Sequence, residues 1–283
     1  MGRILQFSDI HFGCEHRQAT AAALDYAHTT PADLTLITGD VTQRGYNDEF
    51  RAAGAWIRAM PEPTFVVAGN HDVPYWDAMA RLFWPWRAFE TTIGHPAHDH
   101  QFLDAALMVR GVTTARGWQA RLNWSKGVID LNQTRRAAEA LRQAPIGALR
   151  VLACHHPLIE MRGAPMTGDV RRGEAAAHIF AEAGVDLIMT GHVHVPFALP
   201  IELSDRYSYA VGCGTLSLRE RGTLPGFNQV DWDSQAITVT ALGWTGDRFE
   251  PQEVWRLPRR QDTRTASTAP DPTVAGAMEQ AAT

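Results

Sequence analysis

The sequence predicts an α/β fold, and three features of its patterning point there. Short apolar runs rich in β-branched residues alternate with segments of helical spacing through residues 3–72. The same alternation returns across residues 149–194. After Pro196 helical spacing gives way to short alternating runs separated by polar turns, the texture of an antiparallel meander packed as a second sheet on the first. Strand–helix–strand order implies right-handed crossovers and a parallel sheet, so successive strands end at one edge.

Residues 3–8 read as the first strand, ending in Asp9-Ile10-His11. Residues 19–28 are alanine-rich and helical, and residues 33–38 form a second strand ending in Gly39-Asp40. Residues 48–60 put Phe50, Ala53, Trp56 and Ile57 on one helical face, and Pro61 and Pro63 stop that helix. Residues 64–68 form a third strand and deliver Gly69-Asn70-His71-Asp72, where Gly69 lets the chain turn without a Cβ penalty.

Residues 73–110 differ in character. They hold Trp76, Phe83, Trp84, Trp86, Phe89 and Phe102 together with His95, His98 and His100. Residues 75–90 fit an amphipathic helix broken at Pro85. The segment reads as a local core over the sheet edge, with a cap shaping a substrate pocket or a dimer face as the sharper alternative. The clustered histidines read as loop residues.

Residues 107–112 and 127–130 look like strands, and Asn132 is the expected N-cap of a helix over 134–143. Leu149–Ala153 is a further strand that delivers Cys154-His155-His156-Pro157, with Cys154 read as a small buried residue. A helix over 173–183 precedes a strand over 186–189, which delivers Thr190-Gly191-His192-Val193-His194. The meander strands are expected at 198–203, 207–211, 227–232, 236–242 and 249–256. One domain is expected over 1–258, and the polar, aromatic-free stretch 259–283 reads as a disordered tail.

Composition excludes several classes. The chain has 283 residues, 45% hydrophobic and 20% charged, as an ordinary globular protein does. A net charge of −5 supplies no global positive field, so nucleic acid is not an expected partner. Cys14, Cys154 and Cys213 are odd in number and form no CxxC pair, which fits a reducing, cytoplasmic setting rather than a disulfide framework. No apolar run approaches the ~18 residues of a transmembrane segment, and Asp9 comes too early for a secretory leader.

Asp9 and His11 lie two apart, so on extended backbone they share a side and can serve one metal. Taken alone, such a pair could be a turn with a chance histidine. The argument rests on repetition. Asp9/His11, Asp40, Asn70/His71, His155 and His192/His194 follow five separate apolar strands. Nitrogen and oxygen donors without thiolate suit Mn, Fe or Zn. Seven ligands exceed one tetrahedral ion and suit two ions sharing a carboxylate.

With these motifs in this order, the sequence resembles the calcineurin-like metallophosphoesterases over roughly residues 1–245. The resemblance implies a four-layer α-β-β-α sandwich of two mixed β-sheets flanked by helices, with the metal site at the C-terminal strand edge. It implies that Asp9, His11 and His194 hold one metal, that Asn70, His155 and His192 hold the other, and that Asp40 bridges them. His71 is then free to protonate a leaving group or bind a phosphoryl oxygen. Asp72 would orient His71 or simply stabilise the turn, and His156 would stand behind the ligands.

The expected chemistry is hydrolysis of a small-molecule phosphodiester by two divalent or mixed-valence ions and a shared hydroxide. The HisHisPro and GlyHisValHis spacing looks most like the bacterial class III cyclic-nucleotide phosphodiesterases, with cAMP as the model substrate. Alternatives are a UDP-2,3-diacylglucosamine pyrophosphatase, whose pattern has Arg in place of His71, and a broad-specificity glycerophosphodiesterase. A DNA exonuclease would need a larger cap and a basic track. A protein-binding scaffold of the same fold is the non-enzymatic alternative, set against a complete ligand set. A homodimer is compatible with the aromatic face.

Overall fold

The computed structural model describes residues 1–119, 123–160, 169–202 and 206–261. The expected tail therefore lies outside the described residues except for Arg259, Arg260 and Gln261. In chain order the elements are β1 (Gly2–Phe7), α1 (Arg17–Thr29), β2 (Leu34–Ile37), α2 (Asn47–Ala59), β3 (Thr64–Val66), α3 (Ala78–Phe83), α4 (Arg87–Ile93), β4 (Gln101–Leu103) and β5 (Leu107–Gly111). They continue with α5 (Leu131–Arg142), β6 (Leu149–Ala153), α6 (Gly173–Glu182), β7 (Leu187–Thr190), β8 (Phe197–Pro200), β9 (Tyr209–Gly212), β10 (Gly226–Trp232), β11 (Ala236–Trp244) and β12 (Phe249–Pro258).

These strands build two mixed six-stranded sheets, ordered β12-β11-β10-β1-β2-β3 and β4-β5-β6-β7-β9-β8. Side-chain alternation decides the layers. Ile4, Leu34, Leu36 and Phe65 of the first sheet meet Val109, Val151, Leu187 and Val211 of the second in a shared core. Leu5, Phe7, Ile37 and Val66 point the other way, onto Ala23 of α1 and Phe50 and Trp56 of α2. The far face of the second sheet packs Leu152 and Ile188 against Ala137 and Leu141 of α5 and Phe180 of α6. The four-layer sandwich follows.

One expectation about topology is corrected. The C-terminal meander is not a separate sheet. β10 pairs antiparallel with β1, Gly2 facing Trp232, so β10, β11 and β12 extend the first sheet. β8 and β9 instead complete the sheet that carries β6 and β7. Alternation within a strand says which residues share a face and is silent about which strand lies alongside.

Local details also differ. Pro85 divides residues 75–90 into two short helices, and Asp77 caps the first by accepting from Ala80 N at 2.8 Å. Residues 127–130 form no strand, only a bridge from Val128 to Arg171. The N-cap of α5 is Asp130, not Asn132, because Asp130 Oδ1 accepts from Asn132 N at 2.7 Å and Gln133 N at 2.9 Å. β4 has only three residues, too few for a periodic signal. In the aromatic segment Trp86 and Phe89 enter the core, whereas Tyr75, Trp76, Phe83 and Trp84 stay exposed. Among the described residues no helix is long and apolar enough to cross a membrane.

His100 stacks on Phe65 at 4.2 Å and on His95 at 4.3 Å. Burial, reinforced by His95, pushes its pKa down from 6.5 to about 3. The unfolded chain therefore takes up a proton below pH 6.5 that the folded chain refuses, and stability falls as the pH drops. Replacing His100 with Phe, which keeps a flat ring on Phe65, should shrink the loss of unfolding free energy between pH 7 and 5 by roughly 2 kcal/mol. Urea titrations at both pH values measure this, and an unchanged loss would show that His100 does not carry it.

Candidate metal centre

β1, β2, β3, β6 and β7 all point their C-terminal ends at one edge, where the two sheets meet. Asp9, His11, Asp40, Asn70, His155, His192 and His194 gather there, each no more than 9% exposed. Five of the seven turn inward on left-handed backbone: Asp9 (φ 52°), His11 (52°), Asp40 (51°), His192 (71°) and His194 (61°). Non-glycine residues rarely adopt that region, and Asp and His tolerate it better than most.

Five of the seven side chains are held by one atom and left free at another. Asp9 Oδ2 accepts from Ser8 Oγ at 2.6 Å and His192 N at 2.8 Å, which leaves Oδ1. Asp40 Oδ1 accepts from His71 N at 2.8 Å, which leaves Oδ2. His155 Nδ1 donates to Thr38 O at 2.9 Å, His194 Nδ1 to Arg219 O at 2.8 Å, and His11 Nδ1 to Thr42 O at 3.3 Å. A carbonyl only accepts, so these contacts put a ring proton on Nδ1 and turn each Nε2 to the centre.

The free atoms crowd together. His194 Nε2 lies 3.1 Å from Asp9 Oδ1 and 3.3 Å from His11 Nε2. Asp40 Oδ2 lies 3.1 Å from His155 Nε2 and 3.9 Å from His11 Nε2. Yet Asp9 Oδ1, Asn70 Oδ1, His155 Nε2 and His192 Nε2 are buried with no aligned hydrogen-bond partner. Buried orphans of this kind are costly, and here all of them are potential metal donors. Asp9, His11 and His194 form one compact ligand group, and Asp9, Asp40 and His155 form another. The donor chemistry and the crowding both fit divalent ions.

Electrostatics agree. Burial opposes charge on both carboxylates, but His155 and His71 hold Asp40 well below the usual range, and His194 does the same for Asp9. His155 is the exception: burial alone would depress it, yet Asp40 pushes it up to about 9, so its ring carries a second proton that a cation would have to displace. Burial depresses His192 and takes His11 down to about 4, leaving their imidazoles neutral. Anionic carboxylates and neutral imidazoles are the ligand forms a cation needs.

His156 stands behind this group. Its backbone N donates to Thr114 Oγ1 at 3.1 Å, that hydroxyl meets its Nδ1 at 2.8 Å, and its Nε2 reaches Ser125 O at 2.9 Å. Both ring nitrogens are thus engaged behind the site, although His156 also lies close enough to His155 and His192 to form a ligand group with them. Of the two roles expected for Asp72, its contacts match the stabilisation of the turn. Its carboxylate accepts from Thr42 N and Thr42 Oγ1, both at 2.9 Å, and from Gly69 N at 2.8 Å. It therefore pins the turn, and the residue that orients the ring of His71 is Gln43, whose carbonyl accepts from Nδ1 at 2.6 Å. Sequence reasoning also missed Arg219, whose Nη1 lies 3.1 Å from His71 Nε2 and 3.4 Å from His11 Nε2. Backbone carbonyls carry no sequence signal, and Arg219 follows no strand-end motif.

Over residues 2–196 the sequence matches the family described as calcineurin-like phosphoesterase. Solved structures share the architecture at low identity. A dimetal phosphatase from Danio rerio aligns with a TM-score of 0.64 at 10% identity, covering 92% of this chain and 99% of that one. A purple acid phosphatase from yellow lupin seeds aligns at 0.62 and 12% identity, covering 95% of this chain and 55% of that one. GAP50 of Plasmodium, described as an anchor in the inner membrane complex, aligns at 0.58 and 12% identity over 92% of this chain and 90% of that one. Comparison with curated proteins finds no match.

The turn at Gly69 allows a test that leaves every ligand in place. A Cβ on Gly69 would collide with Oδ1 and the backbone N of Asp40. Gly69→Ala should therefore displace Asp40 and lower bound metal about as far as Asp40→Ala does, as measured by elemental analysis of the purified chain. Full metal content in Gly69→Ala would show that the approach of the two turns is not what positions Asp40.

Proposed function

We propose that this chain, which belongs to the calcineurin-like phosphoesterase family, hydrolyses small phosphodiesters with two metal ions held between its sheets. The observation that carries this reading is the set of four buried donor atoms, on Asp9, Asn70, His155 and His192, with no hydrogen-bond partner. Asp9, His11 and His194 would hold one ion, and Asn70, His155 and His192 the other. Asp40 would serve both, since its Oδ2 faces His11 on one side and His155 on the other. Mn, Fe and Zn all suit this mixture of imidazole, carboxylate and amide. When bound, two such ions supply charge for phosphoryl oxygens and make water nucleophilic at neutral pH.

The protein's own groups do the rest. Asp9 and Asp40 place anionic charge where the ions sit, and the carbonyls of Thr38, Thr42 and Arg219 keep the imidazoles aimed. His71 has Nε2 directed at the site, while Gln43 keeps the proton of the neutral ring on Nδ1. Only the imidazolium form of His71 can therefore donate a proton from Nε2 to a departing alkoxide. Asp72 contributes by fixing the turn that carries Asn70 and His71.

A cyclic nucleotide such as cAMP is the substrate favoured by the HisHisPro and GlyHisValHis motifs. Exposed Tyr75, Trp76 and Trp84 follow shortly after His71 and offer flat faces to a base. A second reading comes from the same segment. Met79, Leu82 and Phe83 are also exposed, and such an apolar surface would suit the acyl chains of a UDP-diacylglucosamine. Three unpaired thiols support a reducing compartment such as the cytoplasm.

The full chain reconstituted separately with Mn, Fe and Zn should hydrolyse bis(p-nitrophenyl) phosphate. A panel of cAMP, cGMP, glycerophosphodiesters and UDP-diacylglucosamine then ranks the substrates. Metal uptake without hydrolysis of any of them would sink the enzymatic reading and favour a scaffold. His71→Ala should keep its metal and lose roughly 10²- to 10⁴-fold in turnover of esters with poor leaving groups. It should lose much less with p-nitrophenolate, and equal losses across leaving groups would remove the acid role.

A further inference from the structure

Arg219 lies on the segment that joins β9 to β10, remote in sequence from every ligand motif. Its backbone is anchored on two sides. Arg219 N donates to Ser217 Oγ at 3.2 Å, and Arg219 O accepts from His194 Nδ1 at 2.8 Å. The hydroxyls of Ser217 and Thr215 lie 2.7 Å apart, and Thr215 Oγ1 donates to Asp9 O at 2.6 Å. Leu218 N donates to Cys14 O at 2.9 Å from the opposite side. The segment is thus tied to the first strand end and to a metal ligand at once.

From that anchored backbone the guanidinium extends over the site. Among the described residues it meets two imidazole nitrogens, on His71 and His11, and makes no ion pair with a carboxylate. Arginine keeps its proton at any physiological pH and has no lone pair to offer, so it cannot ligate a metal. A permanent cation held beside a cation-binding centre is repelled by what that centre binds. Such a placement is favourable only when an anion lies between the two, and guanidinium matches phosphoryl oxygens well.

We propose that Arg219 is a substrate-binding catalytic residue whose Nη1 holds one non-bridging phosphoryl oxygen, beside the leaving-group oxygen that His71 Nε2 serves. This rests on the phosphoesterase reading given above. The substrate would enter where Nη1 and His71 Nε2 now close directly on each other. Arg219 contributes its hydrogen bond in every state. A fixed positive charge favours the more highly charged ester, so Arg219 also sets how far the enzyme accepts a phosphomonoester beside a diester.

The test uses the full chain loaded with Mn, as wild type, Arg219→Ala and Arg219→Lys. Metal content is measured first, then affinity for inorganic phosphate by calorimetry, then kcat/KM for p-nitrophenyl phosphate and for bis(p-nitrophenyl) phosphate. Arg219→Ala should keep its metal and bind phosphate about 10- to 100-fold more weakly. Its monoester-to-diester ratio should fall, and Arg219→Lys should recover part of both losses. Phosphate affinity within two-fold of wild type in Arg219→Ala would overturn the proposal. Loss of metal from both variants would also overturn it, because Arg219 would then act by positioning His194. A wild-type chain that takes up Mn but neither binds phosphate nor cleaves either ester would fail at the earlier step and refute the phosphoesterase reading itself.

Discussion

Asp9 and Asp40 bring two carboxylates below the surface of the protein, between two sheets, with no lysine or arginine salt bridge to either among the described residues. Burying such charge is expensive unless something compensates it. The compensation is the arrangement around them. Each carboxylate spends one oxygen on backbone N–H groups or a serine hydroxyl and keeps the other for the centre. The imidazoles follow the same division, one nitrogen for a carbonyl and one for the centre. The rest of the site holds this half-satisfied state in register, an arrangement consistent with a site for two metal ions.

That requirement explains the backbone. Five ligand residues sit in left-handed conformations that cost energy at non-glycine positions. They are paid for by the sheet layers on either side, which fix where each strand stops. Gly69 and Gly191 have no Cβ because Asp40 in one case and Ser8 and Asp9 in the other occupy the space it would need. Asp72 joins the same scheme by tying the Gly69 turn to Thr42. Its own carboxyl is pushed up to about 6 by burial and by Asp40, in keeping with a structural acid in a crowded anionic neighbourhood.

On the proposed reading, substrate-facing chemistry comes from elsewhere in the chain. The site interior belongs to strand ends, but the groups that would meet an organic ligand belong to connections. His71 comes from the third turn, Arg219 from the β9–β10 segment, and the exposed aromatics from the helices after Val73. A cation–aromatic contact stabilises that region. Arg81 lies 4.7 Å over the ring of Trp124 and donates to Gly117 O at 2.7 Å and Pro74 O at 3.2 Å. Arg81 thereby links the residues after His71 to the loop before Ser125, which buttresses His156. Metal binding and substrate choice thus rest on different parts of the fold.

The layers and the gathering of the candidate donors were legible in the sequence because both are written in local spacing. Apolar runs mark β1, β2, β3, β6 and β7, and Asp, Asn and His follow each run at its end. Once parallel crossovers are inferred, those ends must coincide. Strand neighbours were not legible: the pairing of β10 with β1 depends on a contact more than 220 residues apart, Gly2 with Trp232. Nor could spacing reveal that Gln43 rather than Asp72 orients His71, or that Arg219 reaches the centre. Those facts depend on backbone carbonyls, which are the same in every residue, and on a loop whose path only the packed sheets decide. Sequence by itself determined which donors converge; tertiary structure decided which atom of each is free to act, since that depends on what occupies the other.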